Sequence, residues 1–199
     1  MSDHFAGIVD RYLLSGHEFT RRLRAVRPEQ WTAPTPCAEW DVRHLVNHMT
    51  RGNLNYVSLL DGGSAADFLR LRDEEAPGSD PVAAYTRSVR ECAEAFRRPG
   101  ALQRTLDHPL GPVTGEQALA VRTTDATIHT WDLARAVNGP EELDPELVAW
   151  IEEHLAEIYA GLAESPVSAD TIHRFFGAPV AAPVAEETRQ ARLLRLFGR

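Results

Sequence analysis

The sequence predicts an all-α fold, a four-helix bundle with an additional C-terminal helix and tail. Three observations point there. Four long segments carry apolar residues at steps of three or four and are bounded by helix caps. No set of alternating apolar and polar residues reads as a sheet. The 199 residues are enough to bury a core without disulfides. Residues 1–199 are expected to form one domain, with 165–199 as a tail packed on the bundle.

The first helix is expected over Asp3–Arg27, where Phe5, Val9, Tyr12, Phe19, Leu23 and Val26 form one stripe with Gly16 in the same row. Pro34 and Pro36 make Trp31 to Trp40 a connector, and Asp41 caps a second helix running to about Leu60, flanked by Trp40 and Leu45 at staple positions. Residues 61–80 are rich in glycine and acid and read as a flexible loop. Pro81 opens a third helix carried by Val82, Tyr85, Val89, Cys92 and Phe96, which stops at Pro99-Gly100. Residues 101–113 form a turn-rich link with a short extended piece. Thr114 and Gln117 make a capping box for a fourth helix ending at Asn138-Gly139-Pro140, and Asp144-Pro145 opens a fifth with a stripe from Leu147 to Leu162. A short helix from Arg189 to Phe197 closes the chain.

Composition narrows the function. Hydrophobic residues at 43% and charged residues at 25% are ordinary for a globular protein and exclude disordered and fibrous classes. All 21 basic residues are arginine and the net charge is -8, with no contiguous basic stripe, so nucleic acid is not an expected partner. No run of apolar residues is long enough for a membrane span, and Met-Ser-Asp-His-Phe lacks the layout of a secretory signal, so a cytoplasmic location is expected. Cys37 and Cys92 are too few for a disulfide framework or a zinc ribbon, and any metal must rely on histidine and carboxylate. Phosphate-cradling glycine loops and the serine-hydrolase elbow are absent.

Of the eight histidines, His4, His17, His44, His48, His108, His129, His154 and His173, two sit in informative patterns. Asp125 and His129 are four apart on the fourth helix, hence on one face and close enough to share a cation, and Asp132 extends the row by a turn. A polar solvent face is the alternative. On the second helix Val42, Leu45, Val46 and Met49 define the buried direction, which brings His48 inward and leaves His44 beside Arg43 and Asn47. A buried imidazole needs partners for its nitrogens, and a metal shared with another helix would satisfy one of them. Asp132 is either an acceptor that fixes the His129 tautomer or a salt-bridge partner of Arg135 or Arg43. Arg122 is either a bidentate site for a substrate carboxylate or a solvated arginine. Cys37 either approaches the metal or packs as a small residue.

The stretch Thr35-Pro36-Cys37-Ala38-Glu39-Trp40-Asp41-Val42-Arg43-His44-Leu45-Val46-Asn47-His48, followed by Asp125-Ala126-Thr127-Ile128-His129-Thr130-Trp131-Asp132-Leu133-Ala134, resembles the DinB-like metal-binding superfamily. The branch it is most similar to is that related to the N-terminal domain of mycothiol-dependent maleylpyruvate isomerase, and the likeness extends to Phe176–Val180 and Leu193–Arg199. The resemblance implies an up-down-down-up bundle with a divalent metal at one end, held by His48, Asp125 and His129. Zinc is the first choice, with nickel, manganese or iron as alternatives. It further implies a cytosolic enzyme that activates mycothiol or a similar thiol for transfer to, or isomerisation of, a small electrophile, acting as a monomer or homodimer. Asp125 stands where the isomerase carries glutamate, a change the ligand set survives, and no counterpart of its C-terminal domain is recognised, which argues against maleylpyruvate as the substrate. Two imidazoles and one carboxylate leave an open coordination position, as in catalytic sites. A metal-water hydrolase, a non-enzymatic metal- or ligand-binding module and a ferrous oxygenase are the rival readings.

Overall fold

The computed structural model describes residues 5–72, 74–76, 78–167, 176–181 and 186–199. The expectations for Asp3, His4 and His173 lie outside the described residues. Helix α1 spans Ile8–Leu23 and buries Ile8, Tyr12, Phe19 and Leu23. Gly16 lets it approach closely, since a Cβ there would stand 2.6 Å from Val89 Cγ1. Helix α2 runs Val42–Leu60, and the Asp41 carboxylate accepts the His44 backbone N–H at 2.9 Å.

The acid- and glycine-rich stretch after it is not all loop. Helix α3, Ala65–Leu71, forms there because Ser64 and Asp67 cap it reciprocally and Phe68 buries against Tyr56 and His108. Helix α4 follows at Pro81–Phe96 behind the Asp80 cap. The turn-rich link contains an antiparallel hairpin, β1 Thr105–His108 and β2 Gly111–Thr114, with Leu106 opposite Val113 on the buried side.

Helix α5, Gly115–Ala136, starts where expected, with Thr114 Oγ1 accepting the Gln117 N–H. The Gln117 side chain does not complete a capping box. It donates instead to the carbonyls of Ile158 and Ala160 at 3.2 and 2.9 Å. Nor is α5 amphipathic, for every residue from Ala118 to Thr130 is buried. Small side chains make that possible, and Thr123, Thr124, Thr127 and Thr130 satisfy their hydroxyls on carbonyls four residues back, at 2.7–3.0 Å. Helix α6, Pro145–Ile158, ends four residues earlier than its stripe suggests, and the chain then turns at Gly161, whose φ is +72°. Helix α7, Arg189–Leu196, packs on α6.

Helices α1 and α2 each lie against both α4 and α5, so α1 and α2 stand diagonally across an up-down-down-up bundle. Leu45, Met49, Leu119, Ile128 and Leu133 are among the fully buried residues of its core. No described helix is long and apolar enough to cross a membrane.

Candidate functional site

Helix α2 supplies His48 to a cluster to which the neighbouring α5 supplies Asp125, His129 and Asp132. His48 Nε2 lies 3.5 Å from Asp125 Oδ1 and 3.3 Å from Oδ2, and His129 Nε2 lies 3.3 Å from Oδ1. One atom from each of these three residues falls within 4.8 Å of the other two. The imidazoles meet edge to face at 5.0 Å, with Trp40 at 5.0 Å from the His48 ring and Phe176 stacked at 5.5 Å on His129. The solvent-face alternative for this row is overturned: α5 has no wet side at this depth, and Asp132 is fully buried.

Arg122, one turn before Asp125, is neither solvated nor available to a substrate carboxylate. Its Nη1 pairs with Asp125 Oδ2, Nη2 donates to the Met49 carbonyl, and Nε donates to Asn53 Oδ1 at 2.8 Å. Gly52 makes room for it, since a Cβ there would lie 2.7 Å from Nη1. Oδ2 is held by the guanidinium and also lies 3.3 Å from His48, while Oδ1 is within 3.5 Å of both imidazoles.

Asp132 accepts from His129 Nδ1 at 2.8 Å, which directs Nε2 toward Asp125. Its salt bridge runs to neither Arg135 nor Arg43. Arg135 pairs with Glu141, and the Arg43 guanidinium lies over Trp31. The partner is Arg199, which reaches back from the end of α7 and grips both carboxylate oxygens through Nε at 2.6 Å and Nη2 at 2.9 Å. Cys37 joins this second layer rather than mere packing. Its Sγ lies 3.3 Å from Asp132 Oδ2, 3.4 Å from Arg199 Nη2 and 3.7 Å from His129 Nδ1, so Cys37, His129 and Asp132 form a second close trio. His44 is exposed and turned to Asp41 at 2.7 Å, away from the cluster.

The electrostatics follow from this layout. Burial opposes charge on Asp125, but His129, His48 and Arg122 around it outweigh that and hold its carboxyl well below the usual range. Burial also opposes charge on His129, yet Asp125 beside it and the hydrogen bonds to Asp125 and Asp132 raise it well above an ordinary histidine. His48 goes the other way, because for it burial outweighs the pull of Asp125. Asp132 is lowered against its burial by hydrogen bonds from His129 and Arg199.

Two cavities flank the cluster and share His48, Arg72 and Phe176 as a common wall. The outer one, about 480 Å³, is edged by Cys37, Trp40 and Arg199. The inner one is much narrower and runs from Asp125 and His48 to Tyr56, His108 and Tyr159. Sequence reasoning passed over Arg199, Tyr56 and His108. No local spacing links Arg199 to a residue 67 positions away, and His108 stood in a Pro-Gly-rich link that read as turns with a short extended piece.

Comparison with known proteins agrees with this architecture. Solved structures of the mycothiol-dependent maleylpyruvate isomerase and of a mutant of it superpose with TM-scores of 0.61 and 0.62, covering 78% of this chain and 72% of theirs at 14% and 15% identity. That likeness establishes the shared DinB-like helical fold. Uncharacterized proteins from two strains of Mycobacterium tuberculosis are each 36% identical over 129 residues, a match spanning 65% of this chain and 66% of theirs. The family profile described as mycothiol maleylpyruvate isomerase N-terminal domain matches residues 12–134, a stretch that begins in α1 and takes in His48, Asp125, His129 and Asp132. The chain therefore belongs to the family of the mycothiol maleylpyruvate isomerase N-terminal domain.

Proposed function

We propose that the chain is a divalent-metal-dependent enzyme that activates a low-molecular-weight thiol of the mycothiol type for transfer to, or isomerisation of, a small electrophile. The observation that carries this reading is the convergence of His48, Asp125 and His129 on one point between two cavities. The donor set fits a divalent ion. For zinc bonds of about 2.0–2.1 Å, tetrahedral ligand atoms lie about 3.3 Å apart, close to the 3.3 and 3.5 Å separating the imidazole nitrogens from Asp125 Oδ1. His129 with Asp132 behind it has the carboxylate-histidine pairing typical of metal ligands. Two neutral imidazoles and one carboxylate favour zinc among common metals and leave a position open.

His48, Asp125 and His129 would hold the ion, and the ion when bound would supply a Lewis acid that deprotonates a coordinated thiol or water. Everything else falls to the chain. Arg122 fixes Asp125 so that Oδ1 faces the imidazoles. Asp132, gripped by Arg199, keeps the Nδ1 proton of His129 in place and leaves Nε2 as the ligand atom. Trp40 and Phe176 cover the rings and limit water at the cluster. The outer cavity, edged by the Arg199 and Cys37 polar groups, suits a hydrophilic thiol, while the inner one suits the less polar reactant.

The test is elemental analysis of protein reconstituted at neutral pH, followed by titration of the cobalt-substituted protein with mycothiol. Stoichiometric metal that is lost in His48→Ala, with a sulfur-to-cobalt charge-transfer band on adding thiol, is the expected result. Substoichiometric metal, or unchanged metal in His48→Ala, would overturn the reading. Stoichiometric metal without any thiol band would transfer the proposal to a metal-water hydrolase.

A further inference from the structure

The hydrogen bonds around His108 leave one proton position determined. The Leu110 backbone N–H donates to His108 Nδ1 at 3.2 Å, so Nδ1 is the acceptor and the neutral ring must carry its proton on Nε2. Burial keeps the ring neutral at ordinary pH, pushing it down to about 4. Nε2 lies 3.0 Å from Tyr56 Oη, and the imidazole therefore donates while the phenol oxygen accepts. The hydroxyl proton of Tyr56 is left without an acceptor among the described residues, on a side chain that lines the inner cavity. The Phe68, Tyr56 and His108 rings pack on one another at 5.6–5.8 Å, so the phenol oxygen is held in place.

Tyr159 adds a second donor. It is 3% exposed, lines the same cavity, and its Oη has no hydrogen-bond partner among the described residues. Burial pushes its pKa well above that of a free phenol, and Asp125, Glu164 and Tyr56 push it the same way, which keeps it protonated. A buried hydroxyl without a partner is unfavourable, and a ligand that accepts from it removes that cost. The charges on the wall balance: Asp125 and Glu164 against Arg122, whose guanidinium is fully engaged, and Arg72 on the side shared with the outer cavity. Much of the remaining lining, including Phe68, Leu110 and Val121, is apolar.

The geometry points to a substrate subsite in the inner cavity, where the hydroxyls of Tyr56 and Tyr159 donate to the carbonyl oxygen of a small, uncharged, largely apolar molecule. Only in calling that molecule the electrophilic substrate does the inference rest on the thiol-transfer reading. His108 is a positioning residue that sets the direction of the Tyr56 proton.

The probes are acetophenone, ethylbenzene and benzoate, which share a ring and differ in offering a neutral acceptor, none, or an anion. The full-length protein is expected to bind acetophenone with its carbonyl stretch moved to lower frequency, and to bind the other two several-fold more weakly. Tyr56→Phe and Tyr159→Phe should each weaken acetophenone roughly three- to tenfold and leave ethylbenzene unchanged. Tyr159→Phe should also leave the melting temperature unchanged or raise it, which a hydroxyl with an internal structural partner would not do. Equal binding of the three probes, preference for benzoate, an unshifted carbonyl band, or a lower melting temperature in Tyr159→Phe would overturn the inference. Measuring with chelator and with zinc separates it from the metal reading. Ketone binding without any zinc uptake defeats the metal centre and keeps the subsite, whereas zinc uptake without ketone binding defeats the subsite alone.

Discussion

Replacing Arg122 with methionine removes a buried charge from the bundle. The guanidinium is 2% exposed and pairs with Asp125, Asn53 and the Met49 carbonyl. Arg122→Met keeps much of the apolar stem and removes the charge. Asp125 then stays buried, with His129 at 3.3 Å as its remaining strong counter-charge, and Asn53 Oδ1 loses its donor. Breaking a buried pair by removing one partner costs about 3–5 kcal/mol. At roughly 2–4 °C per kcal/mol for a chain of this size, the metal-free protein should melt on the order of 10 °C lower. Zinc should recover part of the loss, because a dication beside Asp125 supplies the positive charge that Arg122 no longer does. The assay is urea and thermal unfolding at pH 7 of both proteins, with chelator and with zinc. A loss below about 1 kcal/mol without metal, the scale of an exposed ion pair, would refute the assignment of Arg122 as the counter-ion that positions Asp125.

The site also predicts a pH dependence of definite sign. Without metal, His129 is raised above its unfolded value, so the stability it contributes is fully present below about pH 6.5 and fades as pH rises through its folded value. Asp125 and Asp132 are lowered, so their contribution is present above about pH 4 and fades as pH falls through their folded values. Zinc binding near pH 7 must then release about one proton, from His129 and not from the lowered His48, and occupancy should fall on acidification below about pH 6. Calorimetry in buffers of different protonation enthalpy measures the count, and no release at pH 7, or full occupancy at pH 5, would contradict it. Arg199→Ala should weaken zinc binding about 10- to 100-fold by loosening Asp132 behind His129, read by chelator competition. An unchanged affinity would show that Asp132 holds His129 without help. Gly16→Ala should destabilise by about 1–3 kcal/mol in urea through its 2.6 Å approach to Val89, and Val89→Ala in the same chain should return part of it.

Much of the bundle was legible because helices announce themselves locally. Asp41, Asp80, Thr114 and Asp144 cap the helices the sequence placed after them. The apolar row from Val42 to Met49 separated the direction of His48 from that of His44. The spacing of Asp125 and His129 was readable for the same reason, since four residues return a helix to the same face. Helix α3 was not, because its seven residues between glycine- and acid-rich flanks carry too little periodicity, and what holds Phe68 lies in α2 and β1. The all-round burial of α5 was missed as well, since its threonines look polar until their hydroxyls are seen bonded to their own helix.

The sequence by itself thus determined the helical class, the principal boundaries and the helix faces on which His48, Asp125 and His129 sit, all consequences of backbone geometry within a few residues. Tertiary structure alone decided that Arg122 is an internal counter-ion, that Arg199 returns to grip Asp132, and that Tyr56 and Tyr159 line one cavity beside Asp125. Those outcomes depend on which side chains meet across the packed helices and how little water is left between them, and no spacing along the chain encodes either.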